Sequence, residues 1–227
     1  MPQSGFEAGF QVKDTASLDV WVKELSPKMP GAVEGYIYDQ LKLTLADMFR
    51  RTKSWREFLG PFTLTSGNNK ISLNPVDSKV NVIQVLGISI NGSPLMPSSD
   101  SALSLQFSGS TTQEGTPNRY YVRPYHTVFF SPTPAATVSN IYVDVALTPR
   151  FNNCNNIDQW VIDQHYEVVK AGVLERMYNE PNRPYTNTKQ GEFWGMRYRS
   201  DMASIRAAGD QNFKQGPHPW AFPRHTR

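Results

Sequence analysis

The stretch VEGYIYDQLKLTLADMFRR (residues 33–51), followed at once by TKSWREFLGPFTLTSGNNKISL (52–73), decides the fold, because the hydrophobic period changes between the two. In the first, Ile37, Leu41, Leu45, Met48 and Phe49 recur three and four residues apart, while Glu34, Gln40, Lys42 and Asp47 face elsewhere. That spacing predicts an amphipathic helix over Val33–Arg51. Arg50, Arg51 and Lys53 at its end suit the negative pole of the helix dipole. From about Trp55 short β-branched or aromatic runs take over, separated by turn residues such as Ser66-Gly67-Asn68-Asn69.

The strand-like runs continue for about ninety residues. Phe62–Thr65, Lys70–Leu73, Val80–Ile90, Ala102–Phe107, Tyr120–Arg123, Thr127–Phe130 and Ile141–Leu147 alternate with turns. Asn91-Gly92 after Gly87-Ile88-Ser89-Ile90 predicts a type I′ hairpin, since both central residues tolerate positive φ. Gly109–Asn118 reads as a long loop. Seven short strands with regular turns indicate an antiparallel sandwich or open barrel. The absence of βαβ alternation excludes a parallel doubly wound sheet and its nucleotide site.

Helical spacing returns near Ile157. Ile157, Trp160, Val161, Val168, Val169, Gly172, Val173 and Met177 trace an apolar stripe, with Asn156 as the expected N-cap and Asn179-Glu180-Pro181 as the stop. A last helix is expected from about Thr188 to Ala208, ending at Gly209, with Phe193, Met196, Tyr198, Met202 and Ile205 as candidates for burial. One N-terminal and two C-terminal helices each need partners for their stripes. The economical fold is therefore α+β: a helical bundle of residues 31–54 and 151–210, with an antiparallel sandwich or barrel-like domain inserted at 55–150. Residues 1–30, broken by Pro2, Pro27 and Pro30, read as an irregular leader, and 211–227, held extended by Pro217, Pro219 and Pro223, as an arm.

Composition bounds the function. The 227 residues are 39% hydrophobic and 12% aromatic but only 19% charged, below the ~25% usual in soluble domains. A single cysteine, Cys154, excludes an intrachain disulfide or thiolate zinc cluster. No apolar run reaches the ~18 residues of a membrane span, so no membrane partner is expected. Met1–Phe10 lacks the basic start and apolar core of a signal peptide, so none is expected. The net charge of +3 is C-terminal: residues 182–227 hold eight basic residues against Glu192, Asp201 and Asp210.

Catalytic chemistry finds no foothold. The histidines are His126, His165, His218 and His225, and His165 has no Asp, Glu or His at i±3 or i±4 to share a metal. Cys154 lies in Asn152-Asn153-Cys154-Asn155-Asn156, with only Arg150 nearby to activate it. There is no Gly-x-Ser-x-Gly elbow, phosphate-cradling loop or His-Glu-x-x-His. No enzyme activity, metal or cofactor is expected. The tail is different. Phe213, Lys214, Trp220, Phe222, Arg224 and Arg227 could stack on and neutralise nucleic acid, or anchor in a protein groove, and the prolines, which lower the entropy of ordering, favour the groove.

Several stretches together resemble a known family. They are Met29-Pro30-Gly31-Ala32, the hairpin Ile88–Gly92, Val145-Ala146-Leu147-Thr148-Pro149, and above all AGVLERMYNEPNRPY (171–185). They resemble the head-to-tail adaptor (head-completion, or tubular-neck) proteins of short-tailed double-stranded DNA bacteriophages, over about residues 19–210. Tyr185 stands where that pattern favours Trp. The resemblance implies a virion protein of the neck, assembled in the host cytoplasm. It would form a homo-oligomeric ring, a dodecamer, between the portal and the tail or nozzle protein, around the channel that double-stranded DNA leaves by. Arg197, Arg199 and Tyr185 would be ring contacts, and the arm would dock into the portal. The competing reading is a β-sandwich receptor- or carbohydrate-binding module on a helical base, suggested by the Trp and Tyr content.

Overall fold

The computed structural model describes residues 14–73, 80–99, 114–123, 127–151 and 155–213, the last four as backbone. The predicted strand Ala102–Phe107 and the arm from Lys214 to Arg227 lie outside these residues.

The helical reading of residues 33–51 corresponds to a helix at Glu34–Thr52 (α2) that buries Ile37, Leu41, Leu45, Met48 and Phe49 completely. It ends because Lys53 turns left-handed, with φ 52°, and returns its N–H to Phe49 O at 2.8 Å. The described part of the expected leader, residues 14–30, is not irregular. It forms a strand, Thr15–Ser17 (β1), a helix, Asp19–Leu25 (α1), and a 3-10 turn at Ser26–Lys28. Pro27 and Pro30 fall where they do no harm: Pro27 lies in the first positions of the 3-10 turn and Pro30 follows it. Leu18, Trp21 and Leu25 are fully buried.

The second helical stripe starts later than expected. Asn156–Asp158 is a strand (β12), pairing Ile157 with Ala16 of β1, and the helix (α3) occupies Gln159–Tyr178 with Asp158 at its N-cap. The last helix (α4) runs Thr188–Phe213, through Gly209. Glycine inside a helix costs only about 1 kcal/mol, so one glycine after two alanines does not stop it. Gln211, Asn212 and Phe213, expected in the extended arm, are therefore helical.

The β region contains β2 (Arg56–Leu64), β3 (Lys70–Ser72), β4 (Val80–Ile90), β5 (Ser93–Pro94), β6 (Met96–Pro97), β7 (Glu114–Gly115), β8 (Arg119–Arg123), β9 (Thr127–Ser131), β10 (Thr133–Pro134) and β11 (Val138–Pro149). Two four-stranded sheets result, in the orders β2-β11-β4-β5 and β3-β9-β8-β6. The Asn91-Gly92 turn has φ of 50° and 80° and joins Ile90 to Ser93, as its sequence requires. Both sheets are open, with no closed barrel among the described residues, and one expectation is corrected: short parallel pairings (Met96 with Arg119, Glu114 with Thr133) make the pattern mixed rather than purely antiparallel. The second of these also puts a strand inside the expected loop Gly109–Asn118. The fold is α+β.

The strand β11 carries the β region on the bundle. Ile141 and Val143 alternate with outward residues, but Val145, Ala146, Leu147, Thr148 and Pro149 are all buried, because there α2 covers the sheet. Bundle and sheets share one continuous core.

Candidate functional site

The helices α1 and α4 grip α3 from opposite sides. From α1, the Trp21 ring stacks on Tyr166 at 5.5 Å and its Nε1 donates to Tyr166 O at 3.0 Å. Glu24 accepts from Lys28 and Lys170, both at 2.8 Å, and from the Tyr166 hydroxyl. Partial burial opposes the Glu24 charge, yet these donors outweigh it and hold the carboxyl at about 2, while burial and Glu24 push the Tyr166 phenol to about 12. From α4, Arg199 reaches Glu175 at 3.1 Å. Tyr166 and Glu175 are nine residues apart, which at 3.6 residues per turn is roughly 180° around α3.

Three helices meet at Gly172. A Cβ there would stand 2.5 Å from Thr44 Cγ2 of α2 and 2.8 Å from Tyr198 Cε2 of α4. Tyr198 donates to Asp47 at 3.2 Å, and Asp47 also accepts from Arg51 at 2.9 Å. Burial, with Asp47 beside it, raises the Tyr198 phenol. The α3–α4 turn is fixed by Glu180, whose carboxylate accepts from Arg183 at 3.1 Å and from Tyr185 at 2.9 Å.

This turn decides one of the three candidate ring contacts. Tyr185 is buried inside the subunit, its phenol pushed to about 12 by burial and Glu180, and it braces the turn. Arg197 and Arg199 do reach the surface. They flank α4's contact with α3, Arg197 on Glu167 at 3.4 Å and Arg199 on Glu175. Of the arm residues, Phe213 belongs to α4, while Lys214, Trp220, Phe222, Arg224 and Arg227 lie outside the described residues.

The burial expected along α4 is partly reversed. Tyr198 and Met202 are buried and Ile205 packs against the core, but Phe193 and Met196 are 53% and 61% exposed. The core instead receives the Gly191–Gly195–Tyr198–Met202 face, where the glycines let the helix approach Asn179 and Glu175. That four-residue glycine spacing is the signal that distinguishes the inward face, since large apolar residues stand on both. The outward face presents Lys189, Phe193, Met196, Ser200, Ala203 and Ala207, all exposed.

On the opposite flank, α1 and α2 enclose a groove of about 520 Å³, lined by Ser17, Asp19, Gly35, Tyr38, Asp39 and Lys42. Tyr38 donates to Asp19; this bond, with that from Ser17, lowers the Asp19 carboxyl and raises the phenol to about 12. Lys42 Nζ sits 5.7 Å from the centre of the Phe151 ring.

His165 is buried in a cage of Phe49 and Trp160, 6.3 and 5.7 Å between ring centres, and burial lowers its pKa. Among the described residues no group of three His, Cys, Asp or Glu side chains could hold a metal ion, and no helix is long and apolar enough to cross a membrane. What the surface offers is contact area: an apolar stripe on one flank and an acidic groove on the other.

A helical body carrying open β-sheets presents an exposed helix stripe and a groove between helices as its described surface features. The family model of the SU10 adaptor protein matches residues 16–220, and the chain belongs to that family of phage head–tail adaptors. The match takes in the whole bundle and the β region. No curated protein matches the chain. A phage adaptor is a structural component of the virion.

Proposed function

We propose that this chain forms a ring, a dodecamer, that joins the portal at the capsid vertex to the tail or nozzle protein and surrounds the channel through which double-stranded DNA leaves. The observation that carries the reading is the family match across residues 16–220, which spans both the bundle and the β region. The two flanks of the bundle support it, since a subunit with complementary surfaces on opposite sides is suited to cyclic assembly. In this reading α4 delivers residues 214–227 beyond the bundle, where Lys214, Trp220, Phe222, Arg224 and Arg227 anchor in the portal. Arg197 and Arg199 contribute to the ring. The adaptor family favours this function over a carbohydrate- or receptor-binding module.

The test is truncation after Phe213. A chain ending there should keep the thermal unfolding of the full chain but no longer sediment with the portal. Negative-stain images of the full chain mixed with portal should show a coaxial ring. Undiminished attachment of the truncated chain would remove the arm from the mechanism, and a monomer that ignores the portal would remove the ring.

A further inference from the structure

We infer that neighbouring copies meet through unlike flanks, with the outward stripe of α4 (Phe193 and Met196 at its head) seated in the groove between α1 and α2 of the next copy. This deepens the ring reading and rests on it.

Three observations point to a second copy as the occupant. The stripe and the groove are placed for it: α1 and α4 contact α3 from opposite sides, so one copy's stripe can face the next copy's groove without either meeting its own kind. Such head-to-tail contacts close into rings, whereas contacts between identical patches stop at a dimer.

At the rims one pairing of opposite charge is available, Lys189 of the stripe with Asp39 of the groove. Asp19 and Asp39 line the groove and Glu34 stands exposed beside it, against Lys23, which acts on Asp19, and Lys42, whose ammonium is engaged with the Phe151 ring. The stripe begins at Lys189, with Glu192 one turn on, while Arg197 and Arg199 beside it are paired within the chain with Glu167, Asp201 and Glu175. Rim charges of opposite sign guide the approach and penalise the like-with-like arrangement.

Shape agrees with charge. The groove opens at Gly35, where even a Cβ would meet nothing within 4 Å. Phe193 and Met196 are of the side-chain types that anchor interface cores. Beyond them Ser200, Ala203 and Ala207 leave α4 nearly smooth, so a neighbour's backbone can come close along the rest of the stripe. Desolvating a largely uncharged stripe avoids the penalty that buried ions carry.

The experiment is cysteine cross-linking in the full chain with Cys154→Ser, with and without portal, alongside negative-stain imaging of the same samples. Asp39→Cys and Met196→Cys placed in one chain should give, on oxidation, a ladder of dimers, trimers and higher species in a denaturing gel. Each substitution alone should leave the chain monomeric on that gel. Rings in the images without a ladder, or dimers from either single variant, would overturn the pairing of flanks and leave the ring intact; no ring under any condition would overturn both. Charge reversal guards against misplaced thiols. Lys189→Glu should raise the concentration needed for half-assembly about tenfold, and adding Asp39→Lys in the same chain should restore it. Failure of that rescue, with the single variant folded, would also overturn the pairing.

Discussion

Replacing Gly172 by alanine tests the claim that three helices converge on one missing side chain. In an unobstructed helix the change would stabilise by about 1 kcal/mol. Here the new methyl would lie 2.5 Å from Thr44 Cγ2 and 2.8 Å from Tyr198 Cε2, where ordinary contact is 3.4–4 Å. Neither neighbour yields easily: the Thr44 hydroxyl is tied to Gln40 O at 2.8 Å and the Tyr198 hydroxyl to Asp47 at 3.2 Å. Overpacking of this kind costs about 2–3 kcal/mol, so Gly172→Ala should destabilise by about 1–2 kcal/mol net. For a chain of this size that is a fall in Tm of about 2–8 °C. Two companions sharpen the test, read by urea and thermal unfolding. Thr44→Ser deletes the offending methyl, so the double variant should recover more than the single effects add up to. Gly209→Ala, with nothing within 4 Å of its Cβ, should be neutral or stabilising by up to about 1 kcal/mol. A Gly172→Ala protein as stable as the parent would refute the convergence.

Two further perturbations address the buried histidine and the N-terminal segment. His165 is neutral in the fold because burial lowers its pKa below the ordinary 6.5, so stability should be flat above pH 6.5 and fall below it, as the unfolded chain alone takes up the proton. The slope is at most about 1.4 kcal/mol per pH unit, and Glu24, held at about 2, adds its own loss only below its ordinary value of 4.5. Urea midpoints at pH 7 and 5 should therefore differ less in His165→Phe than in the parent, and equal differences would acquit His165. Trp21→Ala removes a fully buried ring from its stack on Tyr166 and should cost about 3–5 kcal/mol by the same assay; a loss under 1 kcal/mol would mean that the N-terminal segment is a loosely held leader after all.

These cases show why some of the fold could be read in the sequence and some could not. The helix at Glu34–Thr52 and the Asn91-Gly92 hairpin are legible because their causes are local: a three–four apolar period and two residues that accept positive φ. Trp21 is illegible because its partner, Tyr166, is far along the chain, and nothing within residues 1–30 says that a short helix there has a core to pack on. Ile157 continues a helical stripe by spacing, yet its backbone is taken by Ala16 of β1, a pairing that only the folded leader provides. The outward stripe of α4 is half-legible: Phe193 and Met196 share the sequence with Trp194 and Tyr198, and periodicity alone does not choose between the faces. Tyr185 stands out by its place after the second proline of the turn, but its role is settled by Glu180 within the subunit.

The same reasoning bears on whether the β region could act alone as a binding module. Its central strand, β11, pairs on both edges, with β2 and with β4, and its last five residues are buried beneath α2. Cutting residues 55–150 away from the bundle would bare Val145 and Leu147, at about 1.5–3 kcal/mol each. It would also strip Trp55 of Phe49 and Trp160, which contact its ring at 5.2 and 6.0 Å. Domains are stable by only about 5–15 kcal/mol, so losses at these three residues alone consume most of the margin. The sheets are therefore held by the bundle rather than hung from it. A ligand placed on them would sit on the same continuous core that carries the α4 stripe and the groove, and any binding measured on the β region has to be measured on the whole chain.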